Sequence, residues 1–494
     1  MRQRDKRQIL DLIKTMQEGI CYIIDSKSVS ISSDSMQILG DVKAGGQFLA
    51  EVFWEELGCE EILLKIQVLI KEIEDIQEIS NVEVDIEQRM VRISRLLSAL
   101  FRDIEEIVKG MYTIVFLPYK LSMWDCMESI WEAATQDPLC TCYVVPIAYY
   151  DRNPDGTVGE MHYEGDKFPQ KLNVLHYSGI DLEKMHPDVI YFHNPYDDMN
   201  RVTVTDPSFH SKHIFSYTDM YVYVPYYIAG YFNSYEETKG YIIVPGSVAA
   251  DRTIVQSETL KKIYTANGIP EEKLAVLGSP KTDAVVRCKY AEADRPIGWE
   301  GLASCEKVFL LNTSITAFLT EQERVKEIEK MIRTILDTPG AGVIWRPHPL
   351  FLATIKSMRP DQAPRLAELV EYVNEHSCAV IDMLEDSSYS IYFSDALISD
   401  YSSLEFQYAL TEKPVLSTTE SQKMKECVLC CDFTENYFVN DGVSVEAFVE
   451  LVMKDSDYNK EKRMDALRKS LVNADGTCGE KVHQYIMQEL AKMG

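Results

Sequence analysis

The sequence is short of positive charge: 50 Lys and Arg stand against 78 Asp and Glu, a formal net charge of -28 over 494 residues. A nucleic-acid partner needs a basic footprint, so that class is excluded, and the overall field gives no help to binding an anionic membrane or polymer. Any anionic ligand must be held by a local pocket. Long apolar runs are missing too: the longest, near Met220 to Phe232, is Tyr-rich and falls short of the ~18 residues that a membrane span needs. No secretory leader pattern is read, and the 12 Cys are expected to be reduced cytosolic thiols. Cys427, Cys430 and Cys431, with Cys140 and Cys142 far upstream, form no regular CxxC…CxxC pair, so no zinc site is expected. No Asp-x-Asp stands at the end of a cleft strand, and neither metal nor other cofactor is expected. What remains is a globular composition, 46% hydrophobic and 26% charged, with length for roughly three domains at ~150 residues each.

Three textures follow one another. Residues 1–108 are predicted to be mainly helical: Ile62, Leu63, Ile66, Leu69, Ile70, Ile73 and Ile76 recur at helical spacing, and Met90 to Val108 repeats the pattern. Segments 26–35 and 40–46 have turn-like composition and are expected to break this region into pieces. From Met111 the pattern alternates. Strands are predicted at 113–117, 142–147, 188–192, 221–224, 253–255 and 275–277, with helices at 124–134 and 257–267 between them. A linker near 291–306, rich in turn residues around Asp294, Pro296 and Gly298, precedes a second alternating region at 307–494. Its strands are predicted at 307–311, 342–345, 379–381, 396–398 and 414–416. Alternation of this kind implies parallel sheets. The fold class is α/β, with two Rossmann-like domains facing across a cleft and a mainly helical region ahead of them.

Open parallel sheets bind ligands beyond the carboxyl ends of their strands. Two strand ends in the second domain carry suitable chemistry. Gly342-Val343-Ile344-Trp345 runs into Arg346-Pro347-His348-Pro349, and Ala396-Leu397-Ile398 runs into Ser399-Asp400-Tyr401-Ser402-Ser403 before a helical pattern. An Arg and a His at one strand end, with hydroxyls and free N–H groups at the other, would form a diphosphate clamp. Each segment also has a plain structural reading, the first as a proline-stiffened loop and the second as a helix cap. Their pairing in one domain favours the clamp.

The segments Gly278-Ser279-Pro280-Lys281-Thr282-Asp283, Arg346-Pro347-His348-Pro349, Ser399-Asp400-Tyr401-Ser402-Ser403 and Glu412-Lys413-Pro414-Val415 occur in an order that resembles CDP-glycerol glycerophosphotransferases, the enzymes that build or prime teichoic acid chains. The resemblance covers about residues 240–420, with 110–235 similar to a variant branch. It implies a GT-B scaffold with an acceptor domain at 109–290 and a CDP-donor domain at 307–494. The implied reaction moves glycerol phosphate from CDP-glycerol, or a close CDP-alditol, to a hydroxyl on a polyol-phosphate or glycolipid acceptor. On these positions Arg346, His348, Asp400, Ser402, Ser403, Lys281 and Asp283 would hold the donor diphosphate and nucleotide. The family's usual Trp-His-Gly strand end is replaced by Tyr223-Val224-Pro225-Tyr226-Tyr227, and its Pro-Thr-x-Arg segment by Asn312-Thr313-Ser314-Ile315-Thr316. His193 and Asp151 are therefore the candidate catalytic bases, while Lys120 and Asp125 are expected to be an ordinary turn. A nucleotide-sugar glycosyltransferase or epimerase of the same fold, or an inactive nucleotide-binding partner protein, are the alternatives. A cytoplasmic location is expected, with peripheral contact to the inner face of the plasma membrane left open.

Overall fold

Isoleucine and leucine at three- and four-residue intervals build the first region. The computed structural model describes residues 1–26, 32–54, 59–78, 86–153, 155–200, 202–290, 294–314, 323–348, 355, 359–384, 387–400, 402–419, 428–429 and 437–493. Four helices come first: α1 (Gln3–Asp25), α2 (Ser33–Trp54), α3 (Glu60–Glu78) and α4 (Ile86–Ile107). α1 buries Ile9, Ile13, Met16 and Ile20, and α4 buries Met90, Ile93, Leu97, Leu100 and Ile104. These are the apolar stripes of an amphipathic bundle. α1 packs on α2 and α4, and α3 closes the ring against the same two helices. The turn expected at 40–46 is absent, because these residues lie inside α2. Gly45 and Gly46 sit where helices approach closely: a Cβ there would come 2.9 Å from the Met16 sulfur and 3.1 Å from Ile70. Packing against neighbours outweighs the low helix propensity of glycine.

The chain divides into two compact units, the first comprising residues 1–114, 137–141 and 491–494 and the second the remainder. Beyond the bundle the first strands are β1 (Tyr112–Leu117), β2 (Cys140–Val144), β3 (Tyr149–Arg152), β4 (Val158–His162), β5 (Val189–Phe192), β6 (Thr203–Thr205), β7 (Met220–Tyr223), β8 (Tyr231–Phe232), β9 (Arg252–Val255) and β10 (Leu274–Val276). Six of them form one sheet in the order β10-β9-β7-β5-β1-β2. Counted along the chain this is 2-1-3-4-5-6, so the order reverses between β1 and β5. β3, β4 and β6 make a separate antiparallel sheet that the sequence patterns do not reveal.

The later strands are β11 (Lys307–Thr313), β12 (Ala341–Pro347), β13 (Ala379–Ile381), β14 (Ala396–Ser399), β15 (Val415–Ser417), β16 (Val428–Leu429) and β17 (Phe438–Val439). Their sheet, β13-β12-β11-β14-β15-β17, is parallel throughout and reads 3-2-1-4-5-6, the dinucleotide-fold order. Alternate residues feed two cores. Leu311, Trp345 and Ile398 join one, while Leu310, Ile344 and Leu397 join the other. Successive side chains of a strand point to opposite faces, so both faces are buried and the strands read as continuous apolar runs.

The chain after Asn459 returns to the first sheet. Arg252 pairs with Glu489 at 2.5 Å, and Val472 N–H donates to the Gln256 carbonyl. The two α/β regions also meet directly: Phe406, on the helix Ser403–Ala409 of the second, packs against Gly230 of the first, where a Cβ would lie 1.8 Å from the ring. β16 pairs with β8 across the same boundary. Among the described residues, no helix is long and apolar enough to cross a membrane.

Candidate functional site

Each sheet has a crevice where its strand order reverses, and such a switch point is where open α/β sheets receive ligands. In the second sheet it lies between β11 and β14. Asn312 is in register with both Arg346 on β12 and Ser399 on β14. Arg346 and Ser399 are thus two strand spacings apart, ~10 Å. By alternation all three belong to the face that carries Leu310, Ile344 and Leu397. Asn312 Nδ2 donates to Ser399 Oγ at 2.9 Å, which ties the two strand ends together.

The charged groups here are already paired. Arg346 is held by Asp382, a fully buried carboxylate that also accepts from Ser390 and from Leu384 N–H. Asp400 accepts the Ser314 backbone N–H at 2.8 Å and the Arg324 guanidinium at 2.9 Å. Its burial pushes its pKa up, and Arg324 opposes that shift. Asp400, expected among the donor ligands, has its oxygens engaged by Ser314, at the end of β11, and by Arg324. His348 extends the strand ladder through its N–H to the Thr313 carbonyl at 3.0 Å. Its imidazole is half-buried, and the loss of water lowers its pKa. Ser402 caps the helix Ser403–Ala409 by accepting Leu404 N–H at 3.2 Å, which leaves its hydroxyl proton free to donate. The Ser403 side chain, Tyr401 and Pro349 lie outside the described residues.

Lys281 and Asp283 were expected at the donor and have other partners. Lys281 is bound to Asp125. Asp283 is fully buried, and its two oxygens accept the N–H groups of Cys478 and Gly479 at 3.2 and 2.8 Å. Its carboxylate is spent on the first turn of the helix Cys478–Met493, where orphan donors and the helix dipole favour an acid. The segment 278–283 clasps the returning chain. Gly278 has φ +101°, and a Cβ there would lie 2.1 Å from the Val472 carbonyl, so only glycine fits.

In the first sheet the switch point lies between β1 and β5. Here His193 Nε2 accepts the Tyr119 N–H at 3.1 Å, and the ring is wholly buried. Burial, with a smaller effect from the Lys281 charge, drops its pKa from 6.5 to about 3. His193 is thus a neutral imidazole whose Nε2 lone pair is occupied, while Nδ1 is buried and without a partner. Burial likewise raises the Tyr119 phenol to about 12. The other candidate base, Asp151, lies on β3 with its side chain 52% exposed and contacts His162 Nε2 at 2.8 Å.

Three participants were invisible in the sequence. Arg324 reaches Asp400 from beyond a segment with no motif, supplying a guanidinium beside Ser314, where the sequence shows no Arg. Asp382 is an unremarked acid at the end of β13. His162 acquires its partner only through strand pairing.

Two parallel sheets with these switch points define a GT-B-type α/β protein. Residues 246–488 match the model of the CDP-glycerol:poly(glycerophosphate) glycerophosphotransferase family, and over that span the chain carries this family's domain. No curated protein matches the sequence. Among solved structures, a putative UDP-N-acetylglucosamine 2-epimerase from Listeria monocytogenes aligns with a TM-score of 0.54 at 13% identity, over 78% of this chain and 98% of that one. Another UDP-N-acetylglucosamine 2-epimerase gives 0.52 at 12% identity over 78% and 98%. The wall teichoic acid polymerase TagF gives 0.49 at 13% identity over 87% and 98%. At such identities the two epimerase likenesses establish the fold.

Proposed function

We propose that this protein transfers glycerol phosphate from CDP-glycerol, or a close CDP-alditol, to a hydroxyl acceptor in the synthesis of a teichoic-acid-like cell-envelope polymer. The observation that carries this reading is the β11/β14 switch point, with Arg346, His348 and Ser402 at neighbouring strand ends inside the family's domain. Charge gathers on the leaving CMP as the phosphorus–oxygen bond breaks, and donors fixed in advance at that position lower the barrier. Arg346 brings a guanidinium whose fork of five N–H donors suits a phosphate, with Asp382 fixing its position. His348, held neutral by burial, donates one N–H, and the Ser402 hydroxyl donates another hydrogen bond. Asp400 and Arg324 hold Ser314, at the end of β11, in place. The acceptor is a polyol phosphate or glycolipid, and the protein works on the cytoplasmic side, in peripheral contact with the membrane that carries it.

Titration calorimetry with CDP-glycerol, CMP and UDP-sugars tests the donor. CDP-glycerol and CMP should bind, and CMP release should require a hydroxyl acceptor. Preferential binding of a UDP-sugar would overturn the reading in favour of sugar chemistry.

A further inference from the structure

We infer that His162 and Asp151 form the proton-accepting dyad for the acceptor hydroxyl, an assignment that rests on the transfer reading above. The antiparallel sheet β3-β4-β6 pairs Tyr149 with His162 and Thr205, and Asp151 with Thr203. Side chains alternate along a strand, so these five residues share one face. That face meets the end of the first parallel sheet. Tyr119 lies edge-on to Tyr149, with ring centres 5.2 Å apart. The Lys120 ammonium stands 4.8 Å from the centre of the Tyr149 ring. Among the described residues no carboxylate pairs with Lys120, which leaves a cation for the phosphate of an acceptor.

The dyad has the geometry of a prepared base. The His162 ring stacks on Tyr149 at 5.2 Å and 26°, which fixes its plane. Nε2 lies 2.8 Å from Asp151 Oδ2. A carboxylate accepts an N–H, so Nε2 carries the proton and Nδ1 keeps a lone pair. The strand register slips between Tyr150 and Arg152, and Gly159 lies opposite, where a Cβ would come 3.3 Å from that of Asp151. Bulges of this kind re-aim side chains next to active sites. His162 is 35% exposed, so a substrate can reach it, whereas His193 is enclosed with its Nε2 already engaged.

In the step itself, the acceptor oxygen bonds to the phosphorus that bears the glycerol, and its proton passes to His162 Nδ1. The bond from that phosphorus to the oxygen of CMP breaks, and CMP departs with the electron pair. Asp151 faces the imidazolium that results; it is a positioning residue.

The test uses the full chain with CDP-glycerol and a synthetic oligo(glycerol phosphate) acceptor, following CMP release. His162→Gly should lower kcat by ~10²–10⁴-fold, as expected for loss of a general base, with calorimetric affinity for CDP-glycerol unchanged. Imidazole added to the buffer should restore part of the rate. Asp151→Asn should lower kcat by ~10–100-fold at constant KM, by analogy with loss of a ligand's supporting carboxylate, and Asp151→Glu should recover much of it. Wild-type turnover in His162→Gly, or loss of donor binding together with turnover, overturns the dyad alone. A wild-type chain that neither binds nor consumes CDP-glycerol overturns the transfer reading and the dyad with it.

Discussion

At the β11/β14 crevice Arg324 faces Asp400 and Arg346 faces Asp382, whereas at the β1/β5 crevice a neutral His193 accepts a backbone N–H among tyrosines. The same device, a reversal of strand order, is filled in one case by paired charges and in the other by dry aromatic rings. Under the transfer proposed above, the contrast separates two tasks. A site for a doubly charged leaving group needs cations whose positions do not depend on the ligand, and opposed carboxylates hold them there. An acceptor hydroxyl is uncharged before it reacts, so the surroundings proposed for it can be built from aromatic rings, with ionisable groups placed at their rim. On that rim stand Lys120 and the His162–Asp151 pair.

The largest effect should come from breaking the charged crevice. Asp400→Ala takes from the buried Arg324 its buried partner, leaving it the half-exposed Glu327, and frees the Ser314 N–H; removing one partner of a buried pair typically costs ~3–5 kcal/mol. Urea unfolding measures this, and a loss no larger than that of a surface substitution would mean that the pairing is not what holds the crevice.

The dry crevice makes a prediction about pH. The folded pKa of His193, about 3, lies below the ordinary 6.5. Below pH 6.5 the unfolded chain therefore binds a proton that the folded chain refuses. The contribution of His193 to stability is complete above pH 6.5 and is lost as the pH falls toward about 3. At ~1.4 kcal/mol per unit this amounts to a few kcal/mol across the window. His193→Gln should flatten the acid side of the stability profile in urea unfolding at stepped pH. A profile parallel to wild type would show that the acid sensitivity resides elsewhere.

A smaller and more local effect is expected at His348, which lacks the full burial of both crevices. Loss of one charge-assisted hydrogen bond costs ~1.5–3 kcal/mol, so His348→Ala should weaken CDP-glycerol binding by roughly tenfold or more in calorimetry. Unchanged affinity would remove His348 from the donor side.

The comparison also explains what could be read in advance. Strands rich in Val, Ile and Leu, such as 307–313 and 396–399, are buried on both faces and so stand out in the sequence. Arg346 and His348 stand out as well, because a proline follows each of them. Asp283 misleads because a short acidic turn looks the same whether it binds a ligand or caps a helix almost 200 residues away. Gly45 and Gly46 mislead because glycine marks both turns and tight helix contacts, and only the neighbours Met16 and Ile70 distinguish these.

By itself the sequence determined the periodic elements and the succession of two parallel-sheet regions, and it singled out two strand ends as candidates for binding an anion, because each is a property of residues near one another in the chain. Tertiary structure decided which charges are paired. Arg324 against Asp400, Arg346 against Asp382, Lys281 against Asp125 and His162 against Asp151 are pairings between residues 11 to 156 positions apart. The energy of a charge depends on its partner and on its burial, and folding alone sets both.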